Sequence, residues 1–286
     1  MQKTSSYFAL AMAALSVAAL VPTSLPAQSL WLDRSHDKTI ALEVIKPDFK
    51  NNNLGTFTSS RSGLALFLSL RWPLSERLHF VGELPFAYGN YEFKSSLINI
   101  NEHESGSAIG NPYLGLEIKG ANTPIFAEFG VRLPITPEDN VGTGLNIYSD
   151  VDRIEAFFPK TLPFSGMVNF HHVGSSGLAI RLRGGASFWV FTDMEAFNED
   201  TELFASYSAQ VGYEFRQVSV MAGFTGRANL TAEDADFSQR SVHQFGAAAS
   251  LGAGKVRPGV QLRLPLDDDL KDILDAMFGV QLGIEL

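Results

Sequence analysis

Residues 277–286 read Met277-Phe278-Gly279-Val280-Gln281-Leu282-Gly283-Ile284-Glu285-Leu286, and they separate into two interleaved sets. Phe278, Val280, Leu282, Ile284 and Leu286 form one continuously apolar face. Gly279, Gln281, Gly283 and Glu285 form the other. A period of two is the period of a strand, with successive side chains on opposite faces. The same unit recurs back to Leu64: about ten residues of apolar/polar alternation, then a connection that is by turns very short and long. In hydrocarbon, unpaired strand-edge groups find no water, so a series of such strands can span lipid only by closing on itself. The pattern predicts an all-β fold, a transmembrane antiparallel up-and-down β-barrel.

The same alternation predicts strands near 39–45, 63–72, 78–88, 109–119, 125–134, 164–173, 178–191, 202–215, 218–229, 242–251, 256–264 and 277–286. Five connections are turn-like, at 73–77, 120–124, 174–177, 216–217 and 252–255, and all fall on one side. The long connections, at 46–61, 89–108, 135–162, 192–201, 230–241 and 265–276, fall on the other. Bacterial barrels keep short turns in the periplasm and long loops outside, and the count comes out even, at about 12 strands. Asp150 to Phe158 reads as a possible extra strand, but counting it would reverse every later connection, so it is assigned to a long external loop. Trp72, Tyr213, Tyr88 and Phe278 lie in phase with the lipid-facing set near strand ends, as interface girdles do. At Gly184-Gly185 a bulge would decide which way Trp189 and Phe191 point.

The complement of the oily set is charged. Glu43, Glu83, Glu117, Glu128 and Glu285 come from the first five strands and the last, whereas Arg181, Arg183, Arg227, Arg257 and Arg263 come from strands seven, nine and eleven. Arg71, Lys119 and Arg132 on the acidic side and Glu214 on the basic side blur this division. Opposed charges across a narrow bore set up a transverse field that orients polar or zwitterionic solutes. The same groups, paired across a bore only moderately wider than that of an eight-stranded barrel, would instead seal it. Both readings stay open, as does the placing of two amphipathic loop stretches: Val151, Ile154, Phe157 and Phe158, and Leu270, Ile273 and Leu274. The latter follow Asp267-Asp268-Asp269, which resembles a helix start. Folded into the mouth, such a loop narrows the pore; resting on the rim, it does not.

Lys3, an apolar stretch from Phe8 to Val21 and small residues around Ala27 match a cleaved secretory signal, with cleavage after Ala27 or Ser29. Residues 1–27 are thus expected to be a signal peptide and residues 28–286 the barrel domain. The chain of 286 residues has no cysteine, which excludes a lipidated cysteine, disulfides and thiolate metal sites. No cofactor or metal is called for, and a net charge of -9 argues against nucleic acid as a partner. The partners expected are outer-membrane lipid and lipopolysaccharide, the barrel assembly machinery and small-molecule solutes. His171-His172-Val173-Gly174-Ser175-Ser176-Gly177 puts serine beside histidine, but on a tight turn, outside a G-x-S-x-G pattern and with no carboxylate evident to orient the base. The chain is therefore not expected to be an enzyme.

Glu83-Leu84-Pro85, followed by Ser107-Ala108-Ile109-Gly110-Asn111-Pro112-Tyr113-Leu114-Gly115-Leu116, resembles the outer-membrane transporter-like barrels grouped under the meta-cleavage pathway of phenol degradation. The turn Leu74-Ser75-Glu76-Arg77-Leu78 is similar to that family's periplasmic turn, and Asn111 stands where the family often has Asp. The resemblance covers about residues 60–135. It implies passive transport of small compounds and assigns no binding residue. The expected function is a porin-like outer-membrane passive channel with the charged lumen as its selectivity surface. The alternative is a non-conducting barrel whose loops bind surface partners or lipopolysaccharide.

Overall fold

Alternation along each strand leaves one face that must avoid water and one that must not, and the ring of strands resolves this by turning the first outward. The structure is a computed structural model; the residues it describes are 38–53, 56–120, 123–193, 201–215, 217–232 and 236–286. The expected signal peptide, residues 1–27, lies outside them. The strands are β1 Thr39–Phe49, β2 Asn52–Asn53, β3 Phe57–Pro73, β4 Leu78–Ser95, β5 Ile100–Ile109, β6 Tyr113–Lys119, β7 Ile125–Arg132, β8 Thr161–Val173, β9 Leu178–Phe191, β10 Thr201–Glu214, β11 Val218–Asn229, β12 Ser241–Leu251, β13 Val256–Pro265 and β14 Leu274–Glu285. Every pairing is antiparallel. The sheet closes because β1 pairs with both β14 and β3, and β3 with β4. β5 and β6 lie end to end along β4 as one wall strand and β2 is a two-residue addition at the rim, so the wall has twelve strands.

The registers bring the leucines into rows. Leu282, Leu42, Leu68 and Leu84 lie side by side on four adjacent strands, all facing out. Trp72, Tyr88, Tyr213 and Phe278 are outward as well. β9 keeps one register through Gly184-Gly185 against both neighbours, so no bulge intervenes, and Trp189 and Phe191 point into the lumen with Arg181 and Arg183.

One of the long connections is shorter than the sequence predicts. β4 runs on to Ser95 and returns as β5, so residues 89–108 are mostly a β-hairpin rising above the wall rather than a loop. Apolar alternation lapses there because the outward face has no lipid to meet. Between β5 and β6, Gly110-Asn111-Pro112 inserts one extra residue: Ile109 opposes Phe86, but Tyr113 opposes Glu83. Such a bulge bends the strand and re-aims its neighbours.

The largest apolar cluster lies inside the barrel. Residues 133–160 leave β7, form helix α1 (Val141–Asn146) and two 3₁₀ turns, Ile147–Ser149 and Val151–Ala156, and return to β8. Val151, Ala156 and Phe157 pack on Ile45, Ala65, Phe67 and Ala87 of the wall, on Leu270 of the loop after β13 and on Leu274, the first residue of β14. The Phe67 and Phe157 rings lie 5.6 Å apart. Of the two placings the sequence left open for the external loop, the structure takes the one folded into the lumen, and both amphipathic stretches share one core. The second includes helix α2 (Asp268–Lys271), whose first residue does not receive the cap expected of Asp267; that carboxylate instead accepts from the backbone N–H and ring of His243.

Candidate functional site

The inward positions of the wall carry charge from both sets. Glu43 on β1, Glu83 on β4, Glu117 on β6 and Glu128 on β7 are buried, as are Arg132 on β7, Arg181 on β9, Arg227 on β11, and Arg257 and Arg263 on β13; Arg183 on β9 is partly buried. A buried charge is tolerated only when paired. Some pairs form within the wall. Arg71 on β3 forks onto Glu117, whose Oε1 also lies 3.2 Å from His79 Nδ1. Arg132 Nη2 reaches Glu83 at 2.6 Å, and the Tyr113 hydroxyl donates to Glu128.

Further pairs come from the infolded loop, which supplies a counter-charge to each wall. Arg153 takes the acidic side: Nη2 lies 2.5 Å from Glu43, Nη1 2.6 Å from Glu83, and the guanidinium stacks 3.6 Å from the Phe67 ring centre. Asp150 and Glu155 take the basic side, at 2.7 Å from Arg263 Nη1 and 2.8 Å from Arg227 Nη2. Asp150 also accepts from Arg153 Nε at 2.6 Å, so the loop ties the two walls together through one carboxylate. Burial raises the Asp150 carboxyl, but Arg153 and Arg263 outweigh it and hold it below the usual range. Glu155 is likewise lowered, with Arg227 overcoming burial. Asp152 goes the other way, raised by burial and by the neighbouring charge of Asp150.

Asn111, at the bulge, fixes both ends of this loop. Its backbone N–H donates to Ala156 O at 2.7 Å, and its amide donates to Glu155 O at 2.9 Å and Phe158 O at 2.7 Å. Its carbonyl oxygen accepts from the N–H groups of Ile135 and Thr136, each at 2.9 Å. Sequence reasoning missed Asp150, Arg153, Glu155 and Asn111 as parts of the lumen. The signal for the first three was present, as charges interleaved with Val151, Ile154 and Phe157.

The periplasmic half of the lumen is less filled. Asn169, Arg181, Arg183 and Gln210 border a space of about 260 Å³, including its part open to solvent. Arg181, Ser219, Ser250 and Gln281 border a second of about 180 Å³. Glu214 receives Arg181 at 2.5 Å and His171 Nε2 at 2.9 Å. His171 therefore does have a carboxylate partner, contrary to the sequence reading. The nearby Ser176 Oγ accepts from the Leu178 N–H at 3.4 Å, within its own turn.

A closed antiparallel ring of twelve strands, oily outside and ion-paired inside, is an outer-membrane β-barrel. No family model matches the chain, and no curated protein matches it. Among solved structures, it is similar to an outer membrane channel of Pseudomonas putida F1, at 13% identity over 92% of this chain and 100% of that one, with a TM-score of 0.58. It is also similar to the translocator domain of the autotransporter NalP from Neisseria meningitidis, at 8% identity over 99% and 97% of the two chains, with a TM-score of 0.54. The CymD monoaromatic hydrocarbon channel aligns at 8% identity over 93% and 95%, with a TM-score of 0.50. At such identities the likeness carries the fold.

Proposed function

We propose that this barrel is a passive channel for small solutes across the outer membrane, and that its inward charges are the selectivity surface. The observation that carries this reading is the division of the lumen. A charge-complementary loop occupies the external half, while polar cavities remain on the periplasmic side around Arg181. Solute selection then falls to Glu43, Glu83, Glu117, Glu128 and Arg132 against Arg181, Arg183, Arg227, Arg257 and Arg263, with opposed charges orienting what passes. Two structural neighbours whose names describe channels, and the resemblance of residues 60–135 to transporter-like barrels, agree with it. Insertion by the barrel assembly machinery and contact with lipid and lipopolysaccharide belong to the same proposal.

A second reading has its own support: ion pairs between loop and both walls are what a sealed, non-conducting barrel would use, leaving the external loops to bind surface partners. Single-channel recording in planar bilayers under a salt gradient separates the two. Discrete current steps, with a reversal potential that shifts toward cation preference in the Arg181→Glu/Arg183→Glu double variant, are the expected result. A folded, inserted protein that passes no current is the result for a sealed barrel.

A further inference from the structure

The geometry points to a binding site for a small organic monocarboxylate in the periplasmic half of the lumen, built around Arg183. This deepens the channel reading, and it rests on that reading only for how the solute arrives.

Three strands place two rows of side chains side by side. Asn169 on β8, Arg183 on β9 and Ser208 on β10 share one register level, and His171, Arg181 and Gln210 share the next toward the periplasm. On the far side of Asn169, the same level continues to Phe126 on β7. All face inward and border the 260 Å³ space. Within it, hydrogen-bonding capacity goes unused. Asn169 Nδ2 and both polar atoms of the Gln210 amide are buried without a partner, on residues each 3% exposed. Arg183 Nε is in the same condition, and Arg183 forms no ion pair among the described residues. Buried amides and guanidinium groups are ordinarily satisfied, and a group of unsatisfied ones around a cavity marks what the cavity accepts.

The chemistry narrows the ligand. Arg183 offers one unpaired positive charge in the fork geometry that suits a carboxylate. The carboxylates within reach of its charge are engaged: Glu214 by Arg181 and His171, Glu128 by the Tyr113 hydroxyl, and Asp152 of the infolded loop, whose ionised form Arg183 favours without an ion pair, by Gln244 Nε2 at 3.3 Å. A dianion such as phosphate would bring a second charge toward Glu214 with nothing left to meet it. Asn169 Nδ2 and Gln210 Nε2 supply further donors to the same anion, and Gln210 Oε1 supplies an acceptor. The Phe126 ring closes one side with an apolar surface for the ligand's body. Part of the space is open lumen, and its enclosed part is narrow, so the ligand is small and seats its carboxylate rather than its whole body among these groups.

The test is calorimetric titration of the full chain in detergent micelles with sodium hexanoate, and with hexanamide as its uncharged isostere. Wild type is expected to bind hexanoate at one site and hexanamide more weakly by about tenfold or more, since a hydrogen bond to a charged partner carries that much. Arg183→Gln should lose a similar factor for hexanoate while leaving hexanamide unchanged. Should Arg183→Gln fail to fold, Gln210→Leu replaces it, with severalfold weaker hexanoate binding expected. Absence of a hexanoate site in wild type, equal affinity for the two probes, or unaltered binding in the variant that folds overturns the site. Planar-bilayer current, measured separately, keeps the two readings apart. Current without hexanoate binding removes this site and leaves the channel, whereas binding without current leaves the site and removes the channel.

Discussion

Asn111 commits all four hydrogen-bonding positions of its amide to one loop: two donors to Glu155 O and Phe158 O, two lone pairs to Ile135 N and Thr136 N. Aspartate, which the resembling family often has there, would keep the acceptors and lose both donors, setting a carboxylate against two carbonyls. Asn111→Asp is therefore expected to destabilise the folded state by about 2–4 kcal/mol, the range for two buried groups left unsatisfied. Urea unfolding in micelles followed by far-ultraviolet circular dichroism checks this, and an unchanged midpoint refutes it. A second residue-scale prediction concerns pH. Asp150 and Glu155 have lowered carboxyl pKa values in the docked loop, so their contribution is fully present above about pH 4 and is lost as pH falls through their docked values. Asp152 is raised, so ionising it opposes docking once the pH exceeds its ordinary value. Asp152→Asn should thus raise the thermal midpoint at pH 7, and the gain should vanish below about pH 4, where the wild-type group is protonated docked or free. The role of Asn111 was not legible from sequence, because its partners lie 24 to 47 positions away and a one-dimensional pattern carries no distances.

At the scale of elements, alternation fixed what lipid enforces and failed where lipid stops. The wall strands and the short turns were readable because a one-residue slip would place an entire apolar set in the lumen. The β4–β5 hairpin was read as loop because it rises out of the bilayer, and the placing of segment 150–158 stayed open because parity reveals which side a connection starts from, not whether it folds back. What lets it fold back is small-residue contact. A Cβ on Gly89 would lie 2.8 Å from both Gly142 Cα and Val141 O, backbone atoms of α1 that cannot yield. Gly89→Val should therefore expel α1 from the wall while sparing the barrel. Limited proteolysis is expected to cut within residues 133–160 in the variant and not in wild type, with the circular dichroism of the strands unchanged. Equal resistance of the two proteins would show that the contact does not hold the loop.

The whole molecule is a ring whose two rims differ, and the difference sets the orientation in the membrane. The turns after β3, β6, β8, β10 and β12 are short and leave one rim low. The β4–β5 hairpin raises the other, the rim from which the infolded loop after β7 also leaves. Short turns belong to the periplasm. β1 starts and β14 ends at the low rim, where the Leu286 N–H donates to Lys38 O at 3.1 Å. Because the chain has no cysteine, single substitutions report topology without background. Leu97, 65% exposed at the tip of the β4–β5 hairpin, and Ser176, exposed in the turn between β8 and β9, lie at opposite rims. In intact cells a membrane-impermeant maleimide should label Leu97→Cys fully and leave Ser176→Cys unmodified; after the outer membrane is permeabilised, both should react. If Ser176→Cys labelled first, the barrel would stand the other way up. The infolded loop would then guard the periplasmic mouth, and the Arg183 basin would open to the cell exterior.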